Sequence, residues 1–126
     1  MNGKILIIED DPVIIKATSV VLEGVGCQVC SGLGGEEGLL RAAEEQPDLI
    51  LLDIMMPDLD GWQVLQQLKA AEETRDIPVV IFTAFEVTRG PEGLVERGAV
   101  GLVQKPFEPE ELIDIVRRNI PQHDFA

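Results

Sequence analysis

Apolar positions in this chain follow two patterns that alternate from end to end. Ile5–Ile8, Leu49–Leu52 and Val79–Phe82 are runs with no internal polar residue. Runs this short and rich in β-favouring residues read as strands buried on both faces. Between them the spacing turns helical. Pro12 suits the first position of a helix that runs to about Leu22, where Gly24 and Gly26 stop it. A strand over roughly 27–31 follows, then Gly34-Gly35 leads into a helix from Glu36 to about Glu45, ended by Pro47. After the third strand comes the loop MMPDLDG, with Asp60 placed to cap a helix from Trp62 to about Ala71. Pro78 opens the fourth strand, which ends at Thr83. The next segment, EVTRGPEGLVERG, stands where a helix is due but contains Gly90, Pro91 and Gly93. A short fifth strand at 100–103 precedes Lys105-Pro106-Phe107, an amphipathic helix runs from Pro109 to about Asn119, and PQHDFA reads as a tail. Five such units predict a single α/β domain over 1–120, a parallel sheet with helices on both faces, and a tail at 121–126.

Composition agrees with one globular domain: 126 residues, 45% hydrophobic and 26% charged. No apolar run approaches the ~20 residues of a membrane span. No basic segment followed by an apolar one marks a signal peptide, so a cytoplasmic location is expected. The formal net charge of −13 comes from 23 acidic and 10 basic residues. Such a surface is repelled by nucleic acid and anionic lipid, so direct binding of either is not expected. Cys27 and Cys30 form a C-x-x-C pair, but they sit in a strand-like stretch rather than at a helix start. Residues three apart on a strand point to opposite faces, so a redox pair is not expected either.

The polar residues that end the strands carry the chemistry. Ligands of open parallel sheets bind beyond the C-terminal strand ends. Strand one ends in Glu9-Asp10-Asp11, strand three in Asp53 and strand four in Thr83, while strand five leads into Lys105. If strands one and three are neighbours, carboxylates converge there, with a hydroxyl and an ammonium opposite. Clustered carboxylates repel unless a cation sits between them. Mg²⁺ takes one or two carboxylates together with waters and phosphate oxygens. A hydroxyl and an amine beside it supply donors for anionic oxygens, and a carboxylate can serve as nucleophile. Those parts suit phosphoryl transfer, where catalysis is mostly positioning and charge neutralisation.

ILIIEDDP, LLDIMMPDLDG, VVIFTA and QKPF, in that order over residues 4–120, resemble the receiver domain of two-component response regulators. The resemblance implies a doubly wound, flavodoxin-like fold with a five-stranded parallel sheet in order 2-1-3-4-5 and five helices. It implies that Asp53 is the phosphoacceptor and that Mg²⁺ is held by Asp10 directly, by Glu9 through water, by Asp53 and by the carbonyl of Met55. Thr83 and Lys105 would contact the phosphoryl oxygens, with Lys105-Pro106 resembling the family's cis peptide. The partner would be a histidine kinase or histidine phosphotransfer protein, with a possible downstream effector protein. The domain would act in signalling rather than as an enzyme. A phosphorylation-independent pseudo-receiver is the alternative, but it should lack a site residue and this chain lacks none. A small flavoprotein would want a Ser/Thr/Gly-rich loop where EDDP stands.

Asp11, Asp58 and Asp60 have ordinary explanations as turn and cap residues, and His123 and Trp62 need no functional role. In the first helix, Ile14, Val21, Leu22 and Val25 are expected to face the sheet. That leaves Val13, Ala17 and Val20 toward solvent, and the resemblance makes this helix, Ile14 included, with the Pro106 loop, the docking surface for the phosphodonor. Two residues depart from the family's pattern. Leu102 stands where Tyr or Phe is usual, and Gly90-Pro91-Gly93 weakens the fourth helix. Ordering or shifting of residues 84–97 on phosphorylation is therefore the expected output, rather than a ring at 102 changing rotamer.

Overall fold

All of Leu49–Leu52 is buried, and so are Ile5–Ile8, because each run lies in the middle of a sheet covered on both sides. The computed structural model describes residues 3–56, 60–83, 98–104 and 107–120. The strands are β1 (Lys4–Glu9), β2 (Gln28–Leu33), β3 (Leu49–Leu52), β4 (Val79–Thr83) and β5 (Gly101–Gln104). All pair in parallel, in the order β2-β1-β3-β4-β5, as expected. Four helices are described: α1 (Pro12–Glu23), α2 (Gly35–Glu45), α3 (Gly61–Ala70) and α4 (Pro109–Asn119). The helix expected within 84–97, its proposed ordering, and the tail lie outside the described residues.

Strand periodicity divides the core in two. Leu6, Ile8, Ile50, Leu52, Val79 and Ile81 point to the side covered by α2 and α3. Ile5, Ile7, Leu49, Leu51, Val80 and Phe82 point to the side covered by α1 and α4. Each fully buried Leu or Ile contributes roughly 1.5–3 kcal/mol through removal from water. Cys27 belongs to the second cluster and Cys30 packs on the first, so the sheet does separate the two sulfurs. Burial pushes both thiols above the ordinary cysteine pKa, which suits inert packing residues.

β2 begins and ends later than its sequence pattern suggests. The N–H of Cys27 donates to Leu22 O (3.1 Å), so that residue still belongs to the end of α1. The strand then runs alongside β1 to its last residue, with Leu33 opposite Glu9. α1 starts where Pro12 places it, with the Asp11 carboxylate accepting from Val13 N at 2.9 Å. Ile14, Val21 and Val25 pack on the core and Leu22 is wholly buried, while Val13, Ala17 and Val20 face solvent. The Lys69 amine donates to Arg75 O (3.1 Å) and Ile77 O (2.7 Å), closing the turn that feeds β4. Burial lowers its pKa, against the opposing charge of Asp76. Among the described residues, no helix is long and apolar enough to cross a membrane.

α2 approaches the sheet closely at two glycines. A Cβ on Gly32 would stand 2.5 Å from Gly38 Cα, and one on Gly38 would stand 2.5 Å from Ile8 Cγ2. Alanine at 38 improves helix propensity by about 1 kcal/mol, but overpacking a buried isoleucine costs about 1–3 kcal/mol. Gly38→Ala is therefore expected to lower stability in urea denaturation. A gain in stability would mean that α2 can move outward freely.

Candidate metal and phosphoacceptor site

β1 and β3 are neighbours with Ile8 opposite Leu52, so the residues just past them meet at one edge of the sheet. The N–H of Asp53 donates to Ile8 O (3.0 Å), extending the ladder one step beyond the apolar run. Glu9, Asp10 and Asp53 each present a carboxylate oxygen, and these oxygens all lie within 4.8 Å of one another. Glu9 is 1% and Asp53 3% exposed, whereas Asp10 is the most open of the three. A group of hard oxygen donors this tight could hold a metal ion.

Backbone hydrogen bonds hold the carboxylates in place. Asp11 N donates to Glu9 Oε1 (3.2 Å), and Met55 N donates to Asp53 Oδ1 (3.0 Å). The second bond fixes the backbone of Met55 beside Asp53, as a carbonyl ligand there would need, and Met55 is 57% exposed. Asp11 is a helix cap, as expected. Asp60 is another, accepting from Trp62 N at 2.9 Å. Thr83 ends β4 at the same edge and pairs with Gln104, the residue before Lys105. The Thr83 side chain, Lys105, Pro106 and Asp58 lie outside the described residues.

These features fit a known family. A model of the response regulator receiver domain matches residues 5–117. The chain belongs to that family. It is 40% identical over 121 residues to the DNA-binding dual master transcriptional regulator RpaA of Synechocystis, covering 96% of this chain and 50% of that protein. It is 38% identical to the alkaline phosphatase synthesis regulator PhoP of Bacillus subtilis, covering 100% of this chain and 52% of that one. The receiver domain thus spans about half the length of these relatives. Among solved structures, chemotaxis protein CheY4 of Vibrio cholerae superposes with a TM-score of 0.87 at 25% identity, covering 95% of this chain and 100% of that one. The BeF3-activated receiver domain of Klebsiella pneumoniae RstA gives 0.82 at 28%, covering 92% and 97%.

Two features of the site were not read from the sequence. Among the described residues, Ile54, Met55, Met56, Asp60 and Trp62 line a groove of about 560 Å³ that begins one residue past Asp53. Gly61 does more than follow a cap. A Cβ there would overlap Ile54 Cα and stand 2.6 Å from Asp53 O, so α3 can brace the loop after Asp53 only with glycine at its first position. Its N–H donates to Ile54 O (3.2 Å). The D-G pair in MMPDLDG was the available signal. Gly61→Ala is expected to cost about 2 kcal/mol by forced displacement and to shift the amide resonances of residues 53–56. Unchanged resonances would mean that α3 does not brace the loop.

Proposed function

We propose that this receiver domain takes a phosphoryl group from a partner's phosphohistidine onto Asp53, in a step that requires Mg²⁺. The observation that carries this reading is the cluster of Glu9, Asp10 and nearly buried Asp53 at the C-terminal edge of the sheet. Two oxygens on one Mg²⁺ at ~2.1 Å stand at most ~4.2 Å apart, so this cluster fits the ion with only small side-chain rotations. Asp10, Asp53 and the Met55 carbonyl would hold it, with Glu9 acting through water. When bound, it neutralises the carboxylates and the incoming phosphoryl oxygens.

The Asp53 carboxylate attacks phosphorus as the P–N bond of the phosphohistidine breaks, and the imidazole leaves with that electron pair. The hydroxyl of Thr83 and the ammonium of Lys105 donate to the phosphoryl oxygens, where negative charge must be balanced. Asp53 is recessed, so the donor must bring its imidazole down to the sheet edge. The exposed apolar stripe of α1, where Val13 is 74% and Val20 58% exposed, supports docking there by a histidine kinase or histidine phosphotransfer protein. The aspartyl phosphate then biases a conformational equilibrium read by a downstream protein. This is a cytoplasmic signal rather than a metabolic turnover. All five site positions carry a residue able to act, which leaves a phosphorylation-independent role without a residue to rest on.

Incubation with a small acyl phosphate and Mg²⁺ should add one phosphoryl group by intact mass, and Asp53→Asn should add none. Modification of both alike would refute Asp53 as acceptor. In Mg²⁺ titrations followed by Trp62 fluorescence, Asp10→Asn should weaken binding at least about tenfold through loss of a charged ligand. Asp11→Asn should change little, because asparagine also caps a helix. Equal losses would reassign the acidic residues. Val13→Glu or Val20→Glu should slow transfer from a phosphorylated histidine-phosphotransfer domain and spare the acyl phosphate reaction. Equal slowing of both would make α1 a support of the fold and not a docking surface.

A further inference from the structure

Phe82 directly precedes Thr83, and Phe107 lies two residues past Lys105. Their ring centroids are 5.8 Å apart with the planes at 48°, within the range of favourable tilted aromatic pairs. Phe82 is wholly buried and Phe107 half-buried, both in the core cluster beneath α1 and α4. Phe107 is also the residue before Glu108, the N-cap of α4, and the buried Leu112 is the fourth residue of that helix. Apolar residues at those two positions, packed in one cluster, form a hydrophobic staple that sets how the chain enters the helix. On the other side, Gln104 closes β5 against Thr83. Lys105 and Pro106 are therefore joined to a sheet end before them and to an anchored ring after them.

A lysine carries its charge on a long stem with several rotatable bonds, so aiming the amine depends on where the backbone is held. We propose that Phe107 is a positioning residue for phosphoryl transfer: its ring, seated on Phe82, holds the backbone from which Lys105 reaches the phosphoryl oxygens. This inference rests on the role given to Lys105 above. Leu102 cannot take over the task, because it packs against the cluster on the opposite face of the sheet. The proposed metal ligands stand at the ends of β1 and β3 and not on the segment between β5 and α4 that Phe107 anchors, so loss of the ring should separate the chemistry from Mg²⁺ binding.

The test compares Phe107→Leu and Phe107→Tyr, each alone and combined with Lys105→Met. The measurements are the rate of phosphorylation by a small acyl phosphate, Mg²⁺ affinity by Trp62 fluorescence, and urea stability. Phe107→Leu should lower the rate about tenfold or more through misplacement of the amine, with Mg²⁺ affinity held within about twofold, and Phe107→Tyr should recover most of the rate. In the Lys105→Met background the same Leu substitution should change the residual rate less than about twofold, because the group it positions is gone. A wild-type rate in Phe107→Leu, or a loss of the same size with and without Lys105, would overturn the proposal. Absence of a phosphoryl group on the wild-type chain would overturn the function proposed above, and this inference with it.

Discussion

Parallel pairing of β1 with β3 is the constraint on which the site depends. LILL is bracketed by Asp48 and Asp53, and ILII by Lys4 and Glu9. With Ile8 opposite Leu52, every apolar residue of both runs is inside and every bracket residue is at an edge. A slip of one residue would drag Asp53 or Asp48 into a sheet covered on both faces, leaving a carboxylate without water or a partner, at a cost of several kcal/mol. At the N-terminal edge Asp48 is satisfied by Lys4 N at 2.8 Å, which locks the same register from below. The length of the apolar runs thus delivers Glu9 and Asp53 side by side.

That convergence has a cost, and the fold offsets it locally. Glu9 and Asp53 are almost fully buried carboxylates held close together, and like charges at that range repel. Backbone N–H groups of Asp11 and Met55 point at one carboxylate each, and the N-terminus of α1 begins immediately beyond. Both effects favour negative charge. They stabilise each carboxylate separately but cannot remove the repulsion between them. A divalent cation removes it, which ties the electrostatics of the resting fold to the chemistry proposed for it.

Much of this architecture was legible in the sequence because the signals were redundant. Three uninterrupted apolar runs, Pro12 and Asp60 at helix starts, and a polar residue after each strand all point to the same sheet edge. The split of Cys27 from Cys30 followed from strand periodicity alone, and so did the outward face of α1. Strand ends were less legible, since β2 takes its limits from hydrogen bonds to β1 and from the end of α1 rather than from its own residues. The Phe82–Phe107 pair was invisible for a similar reason. It depends on two segments distant in sequence coming within contact, and no local pattern encodes that distance.

The two halves of the site are held by different physics. On β1 and β3 the candidate groups are carboxylates, and those of Glu9 and Asp53 each accept a hydrogen bond from nearby backbone. After β4 and β5 the candidate groups are a strand-end hydroxyl and a long lysine, and the nearest described side chains along the chain include an aromatic pair, Phe82 before Thr83 and Phe107 after Lys105. Apolar contacts are non-directional, so this half is positioned by the seat of a ring rather than by a hydrogen bond. For the chemistry proposed, the division puts hydrogen bonds where the charge is held and aromatic packing beside the place where the phosphoryl group would be met.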